Sequence, residues 1–232
     1  MSVEVVGLDG DDTLWHNESF FSITHGHFAE LLADHADPAA LGRQLDDVQR
    51  RNLALYGYGA KAFTLSMIET AIEVTGGTLP VADVQVILDL GRDLLRHPVE
   101  LLDGVAEALD ALGDRRLVLI TKGDLFHQDA KVAGSGLGDR FERVEIVSEK
   151  DERTYRRLIA ELGVAPERFV MVGNSLRSDV VPVVAIGARA VHVPFEIEWD
   201  HEAVPEHELP ASGWWRVDSL KELPDLLGRI DS

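Results

Sequence analysis

The stretch VVGLDGDDTLW, residues 5–15, decides the interpretation of this chain because it joins an apolar run to three aspartates. Residues 5–8 have the composition of a buried strand. Asp9, Asp11 and Asp12 follow within four positions. Like charges at the edge of an apolar interior are costly unless a positive group offsets them. The stretch therefore predicts a strand whose end carries a charged functional site.

The composition of the whole chain excludes several classes of site. The 232 residues, 45% of them apolar, suit one α/β domain or one core domain with an insert. The absence of cysteine excludes disulfides, thiolate zinc sites and a cysteine nucleophile. No apolar run is long enough to span a bilayer, and no basic region precedes the first apolar stretch. We therefore expect a cytoplasmic protein.

The charge of the chain narrows the class of partner. A net charge of −19 argues against binding to nucleic acid or to anionic membranes. A small anionic substrate would then need a local positive site. Lysine is scarce, since most of the 22 basic residues are arginine, so a lysine at a strand end is a candidate for a specific role. The expected partner is a small phosphorylated metabolite, and the expected assembly is a monomer or homodimer.

Two kinds of pattern divide the chain. Residues 19–96 have helical spacing throughout, with no strand-like run. From residue 97 onward, helical segments alternate with strand-like runs, which are RRLVLIT, RVEIV, FVMVG, ARAVHVP and a candidate edge strand, WWRV. Such alternation is typical of a parallel sheet with helices on both faces. We predict an α/β core at residues 1–16 and 97–232, interrupted by an all-helical insert at residues 17–96.

Polar groups follow the predicted strands where a parallel sheet binds its ligands. The carboxyl ends of such strands line the ligand crevice. The residues found there are Asp9-Gly10-Asp11, Thr121-Lys122-Gly123-Asp124, Ser148-Glu149-Lys150, and Gly173-Asn174-Ser175 with Asp179 beyond it. Carboxylates, an amide, a hydroxyl and lysine suit a divalent metal together with a phosphate. Mg²⁺ prefers hard oxygen ligands and often shares them with a substrate phosphate.

The order of these groups resembles the haloacid dehalogenase-like hydrolase superfamily. The matching elements are Asp-x-Asp-x-Thr at residues 9–13, Thr121 after an apolar strand, Lys150, and Gly-Asn-Ser-x-x-x-Asp at residues 173–179. The resemblance covers nearly the whole chain. It implies a Rossmann-like parallel sheet, and it identifies the insert as an all-helical cap domain that selects substrates.

The resemblance also implies catalytic roles. Asp9 matches the nucleophile that forms an aspartyl-phosphate. Asp11 matches the general acid and base. Thr121 and Lys150 match the residues that hold the phosphoryl group, and Lys150 offsets the charge there.

Other positions of the motifs have supporting roles. Lys122 and Gly123 are further candidate phosphate-binding residues, since the backbone amides after Thr121 hold the phosphoryl group in the family. Gly123 permits close approach of the backbone, and the Lys122 side chain either contacts substrate or points outward. Asp12 is interpreted as a turn or capping residue, and Thr13 as a brace of the Asp9 loop. Core packing is the expected role of Trp15.

The metal implied by the resemblance is Mg²⁺. Its expected ligands are Asp9, the backbone carbonyl of Asp11, Asn174 and Asp179. Asn174 departs from the family pattern, which usually has Asp at this position. An amide oxygen can still bind Mg²⁺ but brings no charge, so we expect weaker metal affinity.

The sequence differs from the family pattern at two more positions, and two loops contain further candidate binding residues. Many relatives have Asn where Lys122 stands, and proline often follows the lysine where Asp151 follows Lys150. Tyr58 and Lys61, in LYGYGAKAF at residues 55–63, are candidate substrate contacts from the cap. The stretch WDHEAVPEHELP, residues 199–210, is interpreted as a solvated loop, although its two histidines and its acids could in principle bind a metal.

The predicted function is a Mg²⁺-dependent phosphatase that hydrolyses a small phosphate monoester. A 2-haloacid dehalogenase attacks carbon and lacks an acid at the position of Asp11, so Asp11 argues against it. A phosphomutase of the same fold and a weak phospho-ligand binding module stay open. A response-regulator receiver places its acceptor Asp after the third strand, whereas the third predicted strand here ends in residues 148–150, Ser-Glu-Lys.

Overall fold

The computed structural model describes residues 2–197, 199 and 202–231. The chain forms two compact units. One comprises Met1–Glu18, Val99–Lys122 and Gln128–Ser232, and the other comprises Ser19–Pro98 with Gly123–His127. The short segment at residues 123–127 therefore groups with the helical unit, whereas the sequence pattern assigns it to the α/β core.

The first unit is built on a six-stranded parallel sheet with the order β3-β2-β1-β4-β5-β6. Its strands are β1 (Val5–Leu8), β2 (Arg116–Lys122), β3 (Arg143–Val147), β4 (Phe169–Gly173), β5 (Arg189–His192) and β6 (Trp214–Arg216). The predicted fold class, a Rossmann-like parallel sheet flanked by helices, is confirmed. The candidate edge strand WWRV is β6, and it does lie at an edge.

Helices account for most of the remaining structure. Within the described residues they are α1 (Glu18–Leu31), α2 (Pro38–Tyr56), α3 (Ala60–Val74), α4 (Val81–Arg96), α5 (Val105–Ala111), α6 (Leu125–Ser135), α7 (Glu152–Leu162), α8 (Val181–Ala185) and α9 (Leu223–Asp231). No described helix combines the length and the apolar character needed to cross a membrane.

Both faces of the sheet are buried at its centre, which explains why β1 and β4 are apolar without alternation. Val6 and Leu8 of β1 belong to the core layer that includes α5 and α9. Val5, on the opposite face, belongs to the layer that includes α7 and α8. Side chains of a strand alternate between faces, so a strand covered on both sides needs apolar residues at every position. The run at residues 5–8 has that character.

The register of the central strands positions the site. Leu8 of β1 pairs with Leu119 of β2 on one side and with Val172 of β4 on the other. The carboxyl ends of these three strands therefore lie side by side. Asp9, Thr121 and Asn174 are brought to one edge of the sheet, as the carboxyl-end rule for parallel sheets predicts.

The second unit packs α1 to α4 around its own apolar core. Buried residues from all four helices form this core, among them Phe28, Leu41, Met67 and Ile87. Helix α2 begins where the sequence predicts, because Pro38 lies in its first turn and the Asp37 carboxylate accepts from the next backbone N–H groups. Residues 19–98 contain no strand, as predicted.

Candidate active site

A buried lysine between two buried carboxylates forms the centre of the candidate site. Lys150 Nζ donates to Asp9 Oδ1 at 2.5 Å and to Asp179 Oδ1 at 2.7 Å. Burial raises the pKa of Asp9 to about 7, against the opposing charge of Lys150. Burial alone would lower the pKa of Lys150, but the carboxylates of Asp179 and Asp9 outweigh it and raise that pKa. Lys150 is therefore cationic over the physiological range of pH.

Asp179 has further hydrogen-bond partners within the buried triad of Asp9, Lys150 and Asp179. Its Oδ2 accepts from the backbone N–H of Ser175 at 3.1 Å, and the Tyr155 hydroxyl lies 3.4 Å from its Oδ1. A Cβ at Gly173 would lie 2.2 Å from Asp179 Oδ2, so only glycine leaves room for this carboxylate. Asp179 is placed as a partner of Lys150, and its role as a metal ligand stays a prediction.

Side-chain oxygens from the ends of β1 and β4 lie close to the hydroxyl of Thr13. That hydroxyl lies 3.3 Å from Asp9 Oδ2 and 3.4 Å from Asn174 Oδ1, and it accepts from the backbone N–H of Asn174 at 3.0 Å. His192 Nε2 lies 2.9 Å from the backbone carbonyl of Asn174 and supports it from β5. Thr13 thus has the bracing role predicted for it.

The oxygen atoms around Thr13 are of the kind that bind a hard divalent cation. Among the described residues, no three side chains of His, Asp or Glu are grouped as metal ligands. The candidate ligands are instead one carboxylate, Asp9, one amide oxygen, Asn174, and the backbone carbonyl of Asp11. All three are oxygen donors of the kind that Mg²⁺ binds while it keeps several waters.

Asp11 is held by three donors. Lys131 Nζ donates to its two carboxylate oxygens at 2.8 Å and 2.9 Å, Trp15 Nε1 donates at 2.7 Å, and Gln128 Nε2 donates at 2.8 Å. Burial would raise the pKa of Asp11, but Lys131 and the two neutral donors lower it below its usual value. Trp15 is fully buried, as the packing interpretation requires, yet its indole N–H also fixes the Asp11 carboxylate.

Asp12 has the capping role predicted for it. Its carboxylate accepts from the backbone N–H groups of Asn17 and Glu18 at 2.9–3.1 Å, where α1 begins. Its φ is 57°, which makes it the one non-glycine residue with a positive φ in the described part of the chain. Aspartate tolerates this left-handed conformation better than most residues because its side chain can bond to the local backbone.

Thr121 and Lys122 are the last two residues of β2, and their side chains have different surroundings. Thr121 is buried, and its Oγ1 has no hydrogen-bond partner among the described residues. Lys122 Nζ donates to Glu202 Oε1 at 2.7 Å and to Ser178 Oγ at 3.0 Å. Gly123 follows directly in the chain but belongs to the helical unit.

The prediction that residues 199–210 form a solvated loop is wrong for Glu202. Besides its bond to Lys122, its carboxylate accepts from the hydroxyls of Ser175 and Ser178. Burial would raise the pKa of Glu202, but Lys122 and the two serines lower it to about 2. The loop therefore supplies an ionised, nearly buried carboxylate beside the motif residues. His207 is exposed, and His201 lies outside the described residues.

The low pKa of Glu202 predicts a pH-dependent contribution to stability. A carboxylate whose pKa is lower when folded stabilises the protein above its unfolded pKa, near 4.5, and loses that contribution as the pH falls towards 2. We expect Glu202→Gln to lower the free energy of unfolding by about 2 kcal/mol at pH 7. The difference from the wild type should shrink below pH 4.5 in urea titrations.

A matched control for this prediction lies in the same loop. Glu206 is exposed, so Glu206→Gln should change the free energy of unfolding by less than ~0.5 kcal/mol both at pH 7 and at pH 3. A Glu202→Gln difference that stays constant from pH 7 to pH 3 would contradict the assignment of an ionised, paired Glu202.

Sequence reasoning missed four side chains that contact the motif residues. They come from α6, from α7 and from the loop after β5, and they are Gln128, Lys131, Tyr155 and Glu202. The scarcity of lysine was a signal for Lys131. Asp151, which stands where relatives often have proline, caps α7 by accepting from the backbone N–H of Thr154 at 2.8 Å.

The two candidate substrate contacts of the cap lie in the helical unit. Tyr58 lies in the link between α2 and α3, and Lys61 lies in the first turn of α3. Lys61 Nζ donates to both carboxylate oxygens of Asp124 at 2.9 Å and 3.0 Å and lies 5.5 Å from the centroid of the Phe126 ring. A contact of either residue with substrate stays a prediction.

Comparison with known proteins identifies relatives of this chain. Residues 3–187 match the family model described as haloacid dehalogenase-like hydrolase. A phosphoserine phosphatase from Thermus thermophilus is 31% identical over 172 residues, which is 71% of this chain and 65% of that protein. The chain thus spans about two thirds of the length of this curated relative.

Solved structures extend the similarity over nearly the full length. A haloacid dehalogenase-like family hydrolase from Xanthomonas campestris has a TM-score of 0.89 and 44% identity, with coverage of 99% of this chain and 92% of that chain. An L-2-haloacid dehalogenase from Xanthobacter autotrophicus has a TM-score of 0.68 at 17% identity, with coverage of 97% and 98%. The latter similarity shows the shared fold only.

Proposed function

The chain belongs to the haloacid dehalogenase-like hydrolase family, and from this premise we propose that it is a Mg²⁺-dependent phosphatase of small phosphate monoesters. The observation that carries the proposal is the second carboxylate, Asp11, which Lys131, Trp15 and Gln128 hold in place two residues after Asp9. Hydrolysis of a phosphate ester needs an acid for the leaving oxygen and a base for water. Attack on a carbon–halogen bond needs no such acid, because halide leaves unprotonated.

The residues of the site supply each part of the reaction. An Asp9 oxygen attacks phosphorus and the bond to the ester oxygen breaks. Asp11 then gives a proton to the leaving alkoxide. Because Lys131 and its neutral neighbours lower the pKa of Asp11 in the free site, this proton would be the one that a phosphate monoanion brings to Asp11 when it binds. Asp11, now a carboxylate, takes a proton from water, and the resulting hydroxide attacks phosphorus and releases Asp9 and phosphate. Lys150 would hold the phosphoryl oxygens together with the Thr121 hydroxyl, which has no hydrogen-bond partner in the described part of the chain.

The proposal includes a site for Mg²⁺. Asp9, the Asp11 carbonyl and Asn174 would hold it, and when bound it would neutralise the charge of the phosphoryl oxygens. The fit rests on the meeting of Asp9 and Asn174 oxygens around the Thr13 hydroxyl.

The neutral side chain at position 174 predicts a variant with tighter metal binding. Asn174→Asp adds a charged ligand of nearly the same shape, so we expect Mg²⁺ affinity to rise roughly tenfold. Asn174→Ala removes the oxygen and should lower the affinity. Calorimetric titration of both variants with Mg²⁺ checks this, and equal affinity of wild type and Asn174→Ala would contradict the ligand assignment.

An activity assay tests the proposed function itself. An aryl phosphate is expected to be hydrolysed with Mg²⁺ and not with a chelator, and 2-chloropropionate is expected to release no chloride. O-phosphoserine belongs in the first panel because the relative from Thermus thermophilus is named a phosphoserine phosphatase. Chloride release, or turnover unaffected by a chelator, would overturn the proposal. Release of inorganic phosphate, rather than a phosphorylated isomer, separates a hydrolase from a mutase.

A further inference from the structure

One carboxylate in the loop after β5 links the two strands that flank β1. Glu202 accepts from Lys122 Nζ at 2.7 Å and from the hydroxyls of Ser175 and Ser178. Lys122 is the last residue of β2, and the two serines follow β4. Because β1 lies between β2 and β4 in the sheet, Glu202 joins the strand ends on either side of Asp9.

The turn that Glu202 binds also carries a member of the buried triad. Ser178 and Asp179 are neighbours in the helical turn Leu176–Val180, and Asp179 accepts from the triad's lysine at 2.7 Å. The Tyr155 hydroxyl donates to the backbone carbonyl of Ser178 at 2.9 Å. Burial raises the pKa of Tyr155, and the charges of the triad's carboxylates and of Glu202 raise it further. Glu202 is therefore close to the triad without touching it.

We propose that Glu202 is a positioning residue of the phosphoryl site, which fixes the end of β2 relative to the turn after β4. This inference rests on the proposed function, in which Thr121 at the end of β2 and Lys150, held by Asp179, bind the phosphoryl oxygens. Side chains that orient binding residues through hydrogen bonds typically change affinity or activity by about 10- to 100-fold when they are replaced.

A role as a simple counter-charge predicts the opposite effect on anion binding. If Glu202 only screened Lys122, its neutralisation would free a cation and strengthen the binding of phosphate. Glu149 Oε1, however, lies 3.6 Å from Lys122 Nζ, so a carboxylate stays near the ammonium group when Glu202 is neutralised. The positioning role instead predicts weaker binding, because the two strand ends lose their common partner. The sign of the change separates the two roles.

Binding of inorganic phosphate to the folded protein at saturating Mg²⁺ tests the inference. Glu202→Gln removes the charge at nearly constant shape, and calorimetric titration should show the Kd for phosphate to rise roughly tenfold. The kcat/KM for an aryl phosphate should fall about 10- to 100-fold. Glu206→Gln is the matched control, because Glu206 is exposed in the same loop, and it should change neither quantity. Circular dichroism checks that each variant is folded under the assay conditions.

A second variant removes the link and keeps every charge. The Ser178 hydroxyl donates to Glu202 Oε2 at 2.7 Å and accepts from Lys122 Nζ at 3.0 Å. Ser178→Ala deletes this bridge but leaves the ion pair, so the Kd for phosphate should rise in the same direction, by about three- to tenfold. This variant also tests the inference if Glu202→Gln does not fold.

The inference requires weaker phosphate binding in both variants. Unchanged binding and kcat/KM in folded Glu202→Gln would overturn it and leave Glu202 a role in stability alone. Tighter binding would overturn it as well, since Glu202 would then compete with phosphate for Lys122. Unchanged binding in Ser178→Ala would overturn the proposed link between the strand ends. A wild type that neither binds phosphate with Mg²⁺ nor hydrolyses any ester would overturn the proposed function, and this inference with it.

Discussion

Replacing Asp9 by asparagine is expected to reduce kcat for phosphate monoesters by roughly 10⁴-fold or more. An amide oxygen does not attack phosphorus, so no covalent intermediate can form. The substitution nearly preserves shape, and Lys150 keeps its second partner, Asp179, at 2.7 Å. We therefore expect the variant to fold and to bind substrate. Steady-state kinetics with an aryl phosphate and Mg²⁺ measure the loss, and circular dichroism checks the fold.

The variant Asp11→Asn distinguishes the role of Asp11 from that of Asp9. Without an acid and base, turnover should fall about 10²- to 10⁴-fold. Because an aryl leaving group departs without much help from an acid, the first step persists and the phosphorylated enzyme should accumulate. Acid quenching with ³²P-labelled aryl phosphate should trap label on Asp11→Asn and none on Asp9→Asn. Label trapped on Asp9→Asn would show that another residue is the nucleophile.

Replacing Lys150 by methionine is expected to lower the free energy of unfolding by about 3–5 kcal/mol, because it leaves buried carboxylates without their cation. Asp9, Asp179 and Lys150 are each at most 6% exposed, so water cannot replace the lost charge. The loss should be smaller at pH 5 than at pH 8, because protonation of Asp9 removes part of the unpaired charge. Urea denaturation at both pH values measures it, and phosphatase activity should disappear as well.

A second lysine provides the control for this prediction. Lys61 pairs with Asp124 at 2.9 Å, but about half of its side chain is exposed. An exposed ion pair contributes little, so Lys61→Met should cost no more than ~1 kcal/mol. If both substitutions cost the same, the buried triad would not have the energetic role assigned to it.

Most of the lysines in this chain lie in or beside the candidate site. Three of the five lysines pair with carboxylates in or beside the site: Lys150 with Asp9 and Asp179, Lys131 with Asp11, and Lys122 with Glu202. An ammonium group is a compact charge that several oxygens can surround. The three aspartates at the start of the chain thus have different partners. Asp9 and Asp11 face separate lysines, and Asp12 caps a helix.

The sequence by itself determined the sheet and the place of the site. A short apolar run without alternation, as at residues 5–8, is typical of a strand buried on both faces, and alternation of such runs with helical segments is typical of a parallel sheet. Parallel strands align their carboxyl ends, so Asp9, Thr121 and Asn174 had to meet. These inferences depend on local patterns and on a topology that the patterns imply.

Only the tertiary structure decided which side chains surround these residues. Gln128 and Lys131 lie more than a hundred positions from Asp11, and Glu202 reaches Lys122 from a loop whose composition is typical of a solvated surface. No periodicity or motif marks such contacts, because they depend on where a helix or loop crosses the end of the sheet. The orientation of the Gln128 amide, whose nitrogen donates to Asp11, is likewise a result of folding that no local pattern predicts.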